Sequence, residues 1–218
     1  MLPGPKLIKE CPSCQGHIIE TTMASGNTFG ALFWPDGKID APMMPNYPAY
    51  VGCPHCKGSF WIEDAELVKS LGWDKIIELP DSILDMTQNK YPIPYKDPTK
   101  TIYLQGLKDT SLTKNKEIYL RSNLMRLYND INRDQKVQTP ATEAQIDNWK
   151  KLLEILGNEP TADKLLKGEI YREMGEFDKA EATLKGEFDE DYLQSLDILD
   201  KLIKARDSRV MCINPQDD

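Results

Sequence analysis

The 218-residue sequence lacks features that define several large classes of protein. It contains no apolar run long enough to cross a bilayer, so no membrane-spanning segment is predicted. The first residues, MLPGPKLIKECPSC, lack the apolar stretch of a secretory signal peptide, so export is not expected. Only two histidines are present, and the sequence offers neither a phosphate-cradling glycine loop nor a nucleophile elbow. We therefore predict that the chain is not an enzyme and has no small-molecule substrate.

An excess of positive charge is also lacking. The chain has 27 basic and 35 acidic residues, which gives a net charge of −8, and acidic residues also outnumber basic ones in the first 76 residues. A general affinity for nucleic acid or anionic membranes is therefore not expected. The predicted location is the cytoplasm, where thiols stay reduced and paired cysteines more often bind metal than each other.

Four of the five cysteines form two Cys-Pro-x-Cys pairs, each followed two residues later by glycine. The first pair reads CPSC and the second CPHC, and residues 15 to 52 separate them. Two such turns brought face to face supply four thiolates in a closed tetrahedron. The spacing therefore predicts one structural zinc ion per chain, with the following ligands: Cys11, Cys14, Cys53 and Cys56.

Three other interpretations of these cysteines remain open. The CPHC letters also occur in thiol oxidants, where the first cysteine caps a helix and its thiolate is stabilised by the helix dipole. Here the first convincing helix start lies later, at Asp64, and that interpretation would leave Cys11 and Cys14 unexplained. A different metal, or a ligand set that includes His17 or His55, is the remaining possibility.

The composition divides the chain into three parts. Residues 1–76 are predicted to form a small zinc-binding domain with a short helix at its C-terminal end, residues 77–112 a proline-containing connector with extended backbone, and residues 113–218 a helical domain. Between the cysteine pairs, a Pro35-Asp36-Gly37 turn flanked by strand-like runs predicts a hairpin of the zinc-binding domain. The predicted fold class is α+β.

Apolar residues at spacings of three and four predict five amphipathic helices in the third part. They cover residues 117–133, 139–157, 161–175, 178–185 and 190–206. Their short connections favour antiparallel packing.

One stretch in this part, Leu166 to Leu184, resembles a tetratricopeptide repeat. The resemblance rests on small or aromatic residues at signature positions: Gly168, Tyr171, Gly175, Ala180 and Leu184. It covers a single repeat, and Lys164 and Lys167 stand where the family prefers large apolar residues. The resemblance implies that the first helix presents Glu169, Arg172 and Glu173 to a protein partner.

The segment around the cysteine pairs likewise resembles zinc ribbons as a class, over about residues 9–62. The join of a ribbon to repeat-like helices is similar to the layout of uncharacterised bacterial proteins. Together these features predict a non-enzymatic zinc-binding adaptor or scaffold with a protein partner. Two alternatives remain, namely a thiol-redox or zinc-release sensor using the CPHC pair, and a nucleic-acid-binding zinc ribbon.

Overall fold

A computed structural model describes residues 1–72, 91–133, 135–157, 159 and 161–214. The chain divides into two compact units. The N-terminal unit comprises Met1–Ala31 and Ala41–Asp109, and the helical unit comprises Leu32–Asp40 and Thr110–Asp218. This division differs from the one expected from composition, because a short segment between the cysteine pairs joins the helices.

The described residues contain short strands and helices joined by turns and loops. The strands are β1 (Leu2–Pro3), β2 (Lys6–Glu10), β3 (His17–Glu20), β4 (Met23–Ser25), β5 (Leu32–Phe33), β6 (Ile39–Asp40), β7 (Tyr50–Gly52), β8 (Ser59–Trp61), β9 (Glu66–Leu71) and β10 (Ile93–Pro94). The helices are α1 (Lys100–Gly106), α2 (Lys114–Asn129), α3 (Glu143–Ile155), α4 (Thr161–Glu173), α5 (Phe177–Thr183) and α6 (Leu193–Lys204). This content agrees with the α+β class.

The N-terminal unit is built from small sheets. A four-stranded sheet has the order β10-β3-β2-β9, with β2 antiparallel to both neighbours and β10 parallel to β3. Strands β7 and β8 form an antiparallel pair, as do β1 and β4. The hydrophobic core of this unit contains the first cysteine of each pair together with apolar side chains: Cys11, Ile18, Val51, Cys53, Phe60 and Ala65. The first cysteine of each pair is therefore part of the hydrophobic core.

Two expectations for this unit are wrong. The segment after Asp64 was expected to be helical, but Glu66–Leu71 is strand β9, because its backbone groups pair with the free edge of β2. Tertiary pairing has overridden a weak local preference. The expected connector does contain extended backbone at β10, but it also contains helix α1, which Thr99 caps by accepting a hydrogen bond from the Ile102 amide. Residues 77–90 of that connector, and residues 73–76 before it, lie outside the described residues.

Helices α2–α6 lie where the sequence predicts helices, with ends shifted by a few residues. Thr113 and Thr142 cap α2 and α3 with their side-chain oxygens, so each helix begins after a threonine. A first core joins α2, α3 and α4 through Met125, Trp149 and Ile170. Within the described ranges, no helix combines the length and hydropathy needed to cross a bilayer.

A second core lies where α4 packs on α5 and α6. Gly168 of α4 faces the side chain of Leu184, and an ideal Cβ at Gly168 would lie only 2.6 Å from the Leu184 Cγ. Gly175, which precedes α5, has a φ of +75°, a conformation that glycine adopts without strain. These two glycines permit the close approach of α4 to α5 and the turn between them.

The hairpin predicted around the Pro35-Asp36-Gly37 turn does form, from β5 and β6. Its assignment to the zinc-binding domain is wrong, because it packs with the helices. The carboxylate of Asp36 at its tip is buried, forms an ion pair with Arg133 and accepts a 3.0 Å hydrogen bond from Asn129. The guanidinium of Arg133 also lies over the ring of Trp34, 4.6 Å from its centroid. These contacts join the hairpin to the helical unit.

Candidate metal centre

Each cysteine pair lies in the turn between two antiparallel strands. The first turn connects β2 to β3 and the second connects β7 to β8, so Glu10 pairs with His17 and Gly52 pairs with Ser59. Because each turn begins directly after one strand and ends directly before the next, strand pairing fixes the position of both cysteines.

The two turns have the same hydrogen-bond pattern. The amide of Cys11 donates to the carbonyl of Gly16 at 3.0 Å, and the amide of Gln15 donates to the carbonyl of Cys11 at 2.9 Å. In the second turn, Cys53 donates to Gly58 at 2.7 Å and Lys57 donates to Cys53 at 3.1 Å. The local backbone is therefore repeated, although Ser13 in the first turn is replaced by His55 in the second.

Backbone dihedral angles show the same repetition. Gln15 and Lys57, each directly after the second cysteine of its pair, have φ values of 58° and 63°. Non-glycine residues rarely adopt this left-handed region, which costs about 1–2 kcal/mol. Both turns therefore contain the same backbone strain at the equivalent residue, and the glycine that follows leads into the next strand.

The two turns bring the four sulfur atoms together. Cys11 Sγ lies 4.0 Å from Cys56 Sγ, and Cys14 Sγ lies 3.8 Å from Cys53 Sγ. All four sulfurs lie within 4.8 Å of one another, and the cysteines are free thiols rather than disulfides. This arrangement fits a single metal ion held by four sulfurs. Of the four, Cys11 and Cys53 are buried, whereas Cys14 and Cys56 are exposed.

The thiol pKa values differ within the cluster and do not simply follow the exposure of the residues. Burial raises the pKa of Cys53 to about 12, although hydrogen bonds from the backbones of Cys56 and His55 lower it in part. Burial likewise raises the pKa of Cys14. Burial also opposes ionisation of Cys56, but hydrogen bonds from the Gly58 backbone and the neighbouring thiols outweigh it and lower the pKa. Since a metal binds thiolates, binding at Cys53 must displace a proton.

The two histidines support the turns from outside the sulfur cluster. His55 Nε2 lies 2.8 Å from the carbonyl oxygen of His17, to which it donates a hydrogen bond. The imidazole of His55 lies against Gly16, where an ideal Cβ would be 2.5 Å from His55 Cδ2. The buried ring of His17 approaches Glu10, with 3.4 Å between Nε2 and Oε1. The first turn thus packs against the second through the ring of His55.

Two of the three residues expected to face a protein partner are buried instead. Glu169 and Arg172 have no exposed surface, and two hydrogen bonds of 2.7 Å join the Arg172 guanidinium to the Glu169 carboxylate. Both side chains point into the unit rather than to solvent, which corrects the expectation for them. Glu173 lies beside them, and its Oε1 accepts a 2.8 Å hydrogen bond from Asn129. The spacing of three between Glu169 and Arg172 is the sequence signal for this pair.

Sequence patterns alone do not predict the buried polar residues of the helical unit. Asp36, Asn129, Arg133 and Gln145 are all buried and connected, with Gln145 donating to Asn129 at 3.1 Å. The Pro-Asp-Gly letters indicate a turn but carry no signal that its aspartate would be buried.

No protein-family model, curated protein or solved structure matches the chain.

Proposed function

We propose that the chain is a non-enzymatic, cytoplasmic zinc-binding protein in which one structural zinc ion holds the N-terminal unit together and the helical unit binds a protein partner. The observation that carries the proposal is the set of four sulfurs delivered by two matched turns. Zinc–sulfur bonds of about 2.3 Å in a tetrahedron place the sulfurs about 3.8 Å apart. The separations of 3.8 and 4.0 Å agree with that geometry.

Four sulfur donors also favour a structural role over a catalytic one. Catalytic zinc sites keep one coordination position for water or substrate, whereas a set of four cysteines fills the tetrahedron. The role of the bound zinc would be to neutralise and crosslink thiolates at the centre of a small core. Zinc binding contributes about 10–16 kcal/mol in small zinc-finger peptides, which is comparable with the total folding stability of a typical domain.

Elemental analysis of protein purified without added metal tests the zinc assignment. We expect one zinc per chain in the wild type, a large loss in Cys53→Ser, and full retention in Cys212→Ser, because Cys212 lies in the other unit. A folded wild-type protein with little zinc, or with iron in its place, would contradict the proposal.

The interaction role is supported by a groove on the helical unit whose apolar side chains are bordered by charged ones. The groove lies between α5 and α6, has a volume of about 360 Å³, and is lined by Leu184, Leu193, Leu196 and Ile203 among others. Leu193 is 49% exposed at its edge. The close packing of Gly168 on Leu184 and the left-handed Gly175 also support a repeat-like, antiparallel arrangement of α4 and α5. Exposed apolar grooves of this kind are typical protein-binding surfaces.

The partner role can be tested by affinity capture from the source cell with matched variants of the full chain. We expect Leu193→Asp to lose a captured protein that the wild type retains. Leu104→Asp, on α1 in the N-terminal unit, introduces the same charge at a comparably exposed leucine and should retain it. Equal capture by both variants would remove the groove from the proposal.

A zinc-release sensor is a second candidate, supported by the exposure of Cys14 and Cys56. Solvent-accessible thiolates are the ones that oxidants reach first. Hydrogen peroxide would take two electrons from two thiolates, form one disulfide and leave two hydroxide ions. Zinc release on treatment with dilute peroxide, recorded with a coloured chelator, would favour this role, and unchanged zinc content would exclude it. The nucleic-acid alternative stays a prediction.

A further inference from the structure

The helical unit contains a cavity that the metal centre does not use. Its volume is about 130 Å³, and its walls come from α2, α3 and α4 and from the segments around residues 138–141 and 208–210. Cavities of about 150 Å³ accommodate an organic ligand of about six non-hydrogen atoms. The polar side chains on the walls include Asn129, Gln145, Trp149 and Glu173.

The carboxyl group of Glu173 is only partly satisfied by the protein. Its Oε1 accepts a hydrogen bond from Asn129, whereas its Oε2 is buried and has no partner in the described part of the chain. The two buried arginines of this unit are committed elsewhere, since Arg172 pairs with Glu169 and Arg133 pairs with Asp36. Asp36 and Glu169 therefore take the two buried guanidinium groups, and the half-buried Glu173 forms an ion pair with neither of them among the described residues.

Trp149 supplies the complementary unsatisfied group. The residue is 3% exposed and lines the cavity, and its indole Nε1 is a buried donor without an acceptor among the described residues. An indole ring is also the side chain that best attracts an organic cation to its face. The amide nitrogens of Asn129 and Gln145 are already used within the protein.

We propose that this cavity binds a small amino alcohol or similar aliphatic amine, whose ammonium group pairs with Glu173 and whose oxygen accepts a hydrogen bond from the indole of Trp149. Such a ligand supplies the missing cation and the missing acceptor at once. It also has the size that the cavity admits. A neutral polyol of the same size supplies the oxygen but not the charge.

The test is isothermal titration calorimetry of the full, metal-loaded chain with 4-aminobutan-1-ol at neutral pH and constant ionic strength. Butane-1,4-diol has the same number of non-hydrogen atoms and no charge, and is the matched control ligand. We expect saturable binding of the amine and binding of the diol at least about 10-fold weaker, the factor that a hydrogen bond to a charged group is worth at its lower limit.

Two variants complete the test. Glu173→Gln keeps the shape and the hydrogen bond from Asn129 but removes the charge, and should weaken amine binding about 10- to 100-fold. Glu154→Gln makes the same change on the exposed side of α3 and should leave binding unaltered. Failure of the wild type to bind the amine, equal affinity for the diol, or undiminished binding by Glu173→Gln would each overturn the proposal and leave water as the occupant.

Discussion

Gly16 is the residue on which the packing of the two cysteine turns depends most directly. Replacing it with alanine would place a methyl group against the ring of His55, which also donates to the His17 carbonyl. Overpacking of this kind costs about 1–3 kcal/mol. We expect Gly16→Ala to lower the free energy of unfolding by about that amount in thermal or chemical denaturation of the zinc-loaded protein.

The double variant Gly16→Ala/His55→Ala provides the control for that prediction. Removing the ring removes the obstacle, so the two substitutions should cost less together than the sum of their separate effects. Gly72→Ala, where a new Cβ meets nothing within 4 Å, should leave stability nearly unchanged. Strictly additive effects would show that the ring of His55 is not what excludes a side chain at residue 16.

Glu173 makes the stability of the helical unit depend on pH. Burial, and then the negative charges of Glu169 and Asp36, raise the pKa of its carboxyl group well above the ordinary value of 4.5. The folded state therefore holds the proton more tightly than the unfolded state, so this residue lowers stability as pH rises above about 4.5 toward the raised pKa. We expect Glu173→Gln to be more stable than the wild type at neutral pH, by about 1–3 kcal/mol.

Urea denaturation at a series of pH values measures that difference. The gap between Glu173→Gln and the wild type should shrink as pH falls and close below about 4.5, where both side chains are uncharged in both states. Glu154→Gln should show no comparable gap. A gap that is constant with pH would mean that the ionisation of Glu173 is not its source.

At the scale of single residues, the sequence was informative about cysteines and uninformative about buried charge. The doubled spacing of the cysteine pairs predicted which four residues meet, because a chelating turn has a short local signature. Glu169 and Arg172 carry no such signature. On a helix, charged residues usually mark the solvated face, and the burial of Arg172 depends on a distant residue, Asp207, whose carbonyl accepts a hydrogen bond from its guanidinium.

The hairpin of β5 and β6 is the element whose removal should affect the helices most. Asp36 at its tip supplies the acceptor for Arg133 and Asn129, and its other oxygen accepts from the Lys38 amide at 3.0 Å. Breaking a buried ion pair on one side costs about 3–5 kcal/mol, because the partner charge stays buried. We expect Asp36→Ala to destabilise the helical unit by about that amount, measured by the helical circular dichroism signal during denaturation.

Asp40 at the other end of the same hairpin provides the matched control. Its carboxylate is 49% exposed and lies 3.6 Å from the Lys38 ammonium, so Asp40→Ala should cost no more than about 1 kcal/mol. Similar losses in both variants would indicate that the hairpin contributes through its backbone rather than through the buried carboxylate.

Elements with a strong local pattern were predicted more successfully than those fixed by distant partners. Helices α2–α6 have apolar residues at helical spacing, and α2 and α3 also have threonine caps; both are local signals. Strand β9 was expected to be a helix, because the letters of Glu66–Leu71 favour neither state strongly and only the edge of β2 decides between them. The β5–β6 hairpin itself was predicted correctly. The unit that it packs with was not, because the sequence of the hairpin carries no signal for its distant partners.

Removal of the metal should unfold the N-terminal unit and leave the helical unit folded. Cys11 and Cys53 belong to the core of the N-terminal unit, whereas the two described cores of the helical unit contain no metal-binding cysteine. We expect a high-affinity zinc chelator to abolish amide protection from hydrogen exchange in β2, β3, β7 and β8 and to leave α2–α6 protected.

Lower pH should have the same effect as the chelator. Because burial raises the pKa of Cys53 to about 12, the thiolate form that binds metal is disfavoured at neutral pH and increasingly so in acid. Zinc affinity should therefore fall as pH is lowered, and zinc binding should release protons that a pH indicator detects. Simultaneous loss of protection in both units, or zinc affinity independent of pH, would contradict this account.

The chain leaves the N-terminal unit for residues 32–40 and re-enters it at Ala41, which affects both its folding during synthesis and the design of fragments. Residues 32–40 are synthesised long before Arg133, so the nascent hairpin has to wait for its partners while the second cysteine pair emerges and completes the sulfur cluster. A fragment that starts at residue 110 would carry α2–α6 but would leave the guanidinium of Arg133 without the carboxylate of Asp36. Any truncation intended to isolate the helices should therefore carry residues 32–40 as well, joined by a linker or supplied as a peptide.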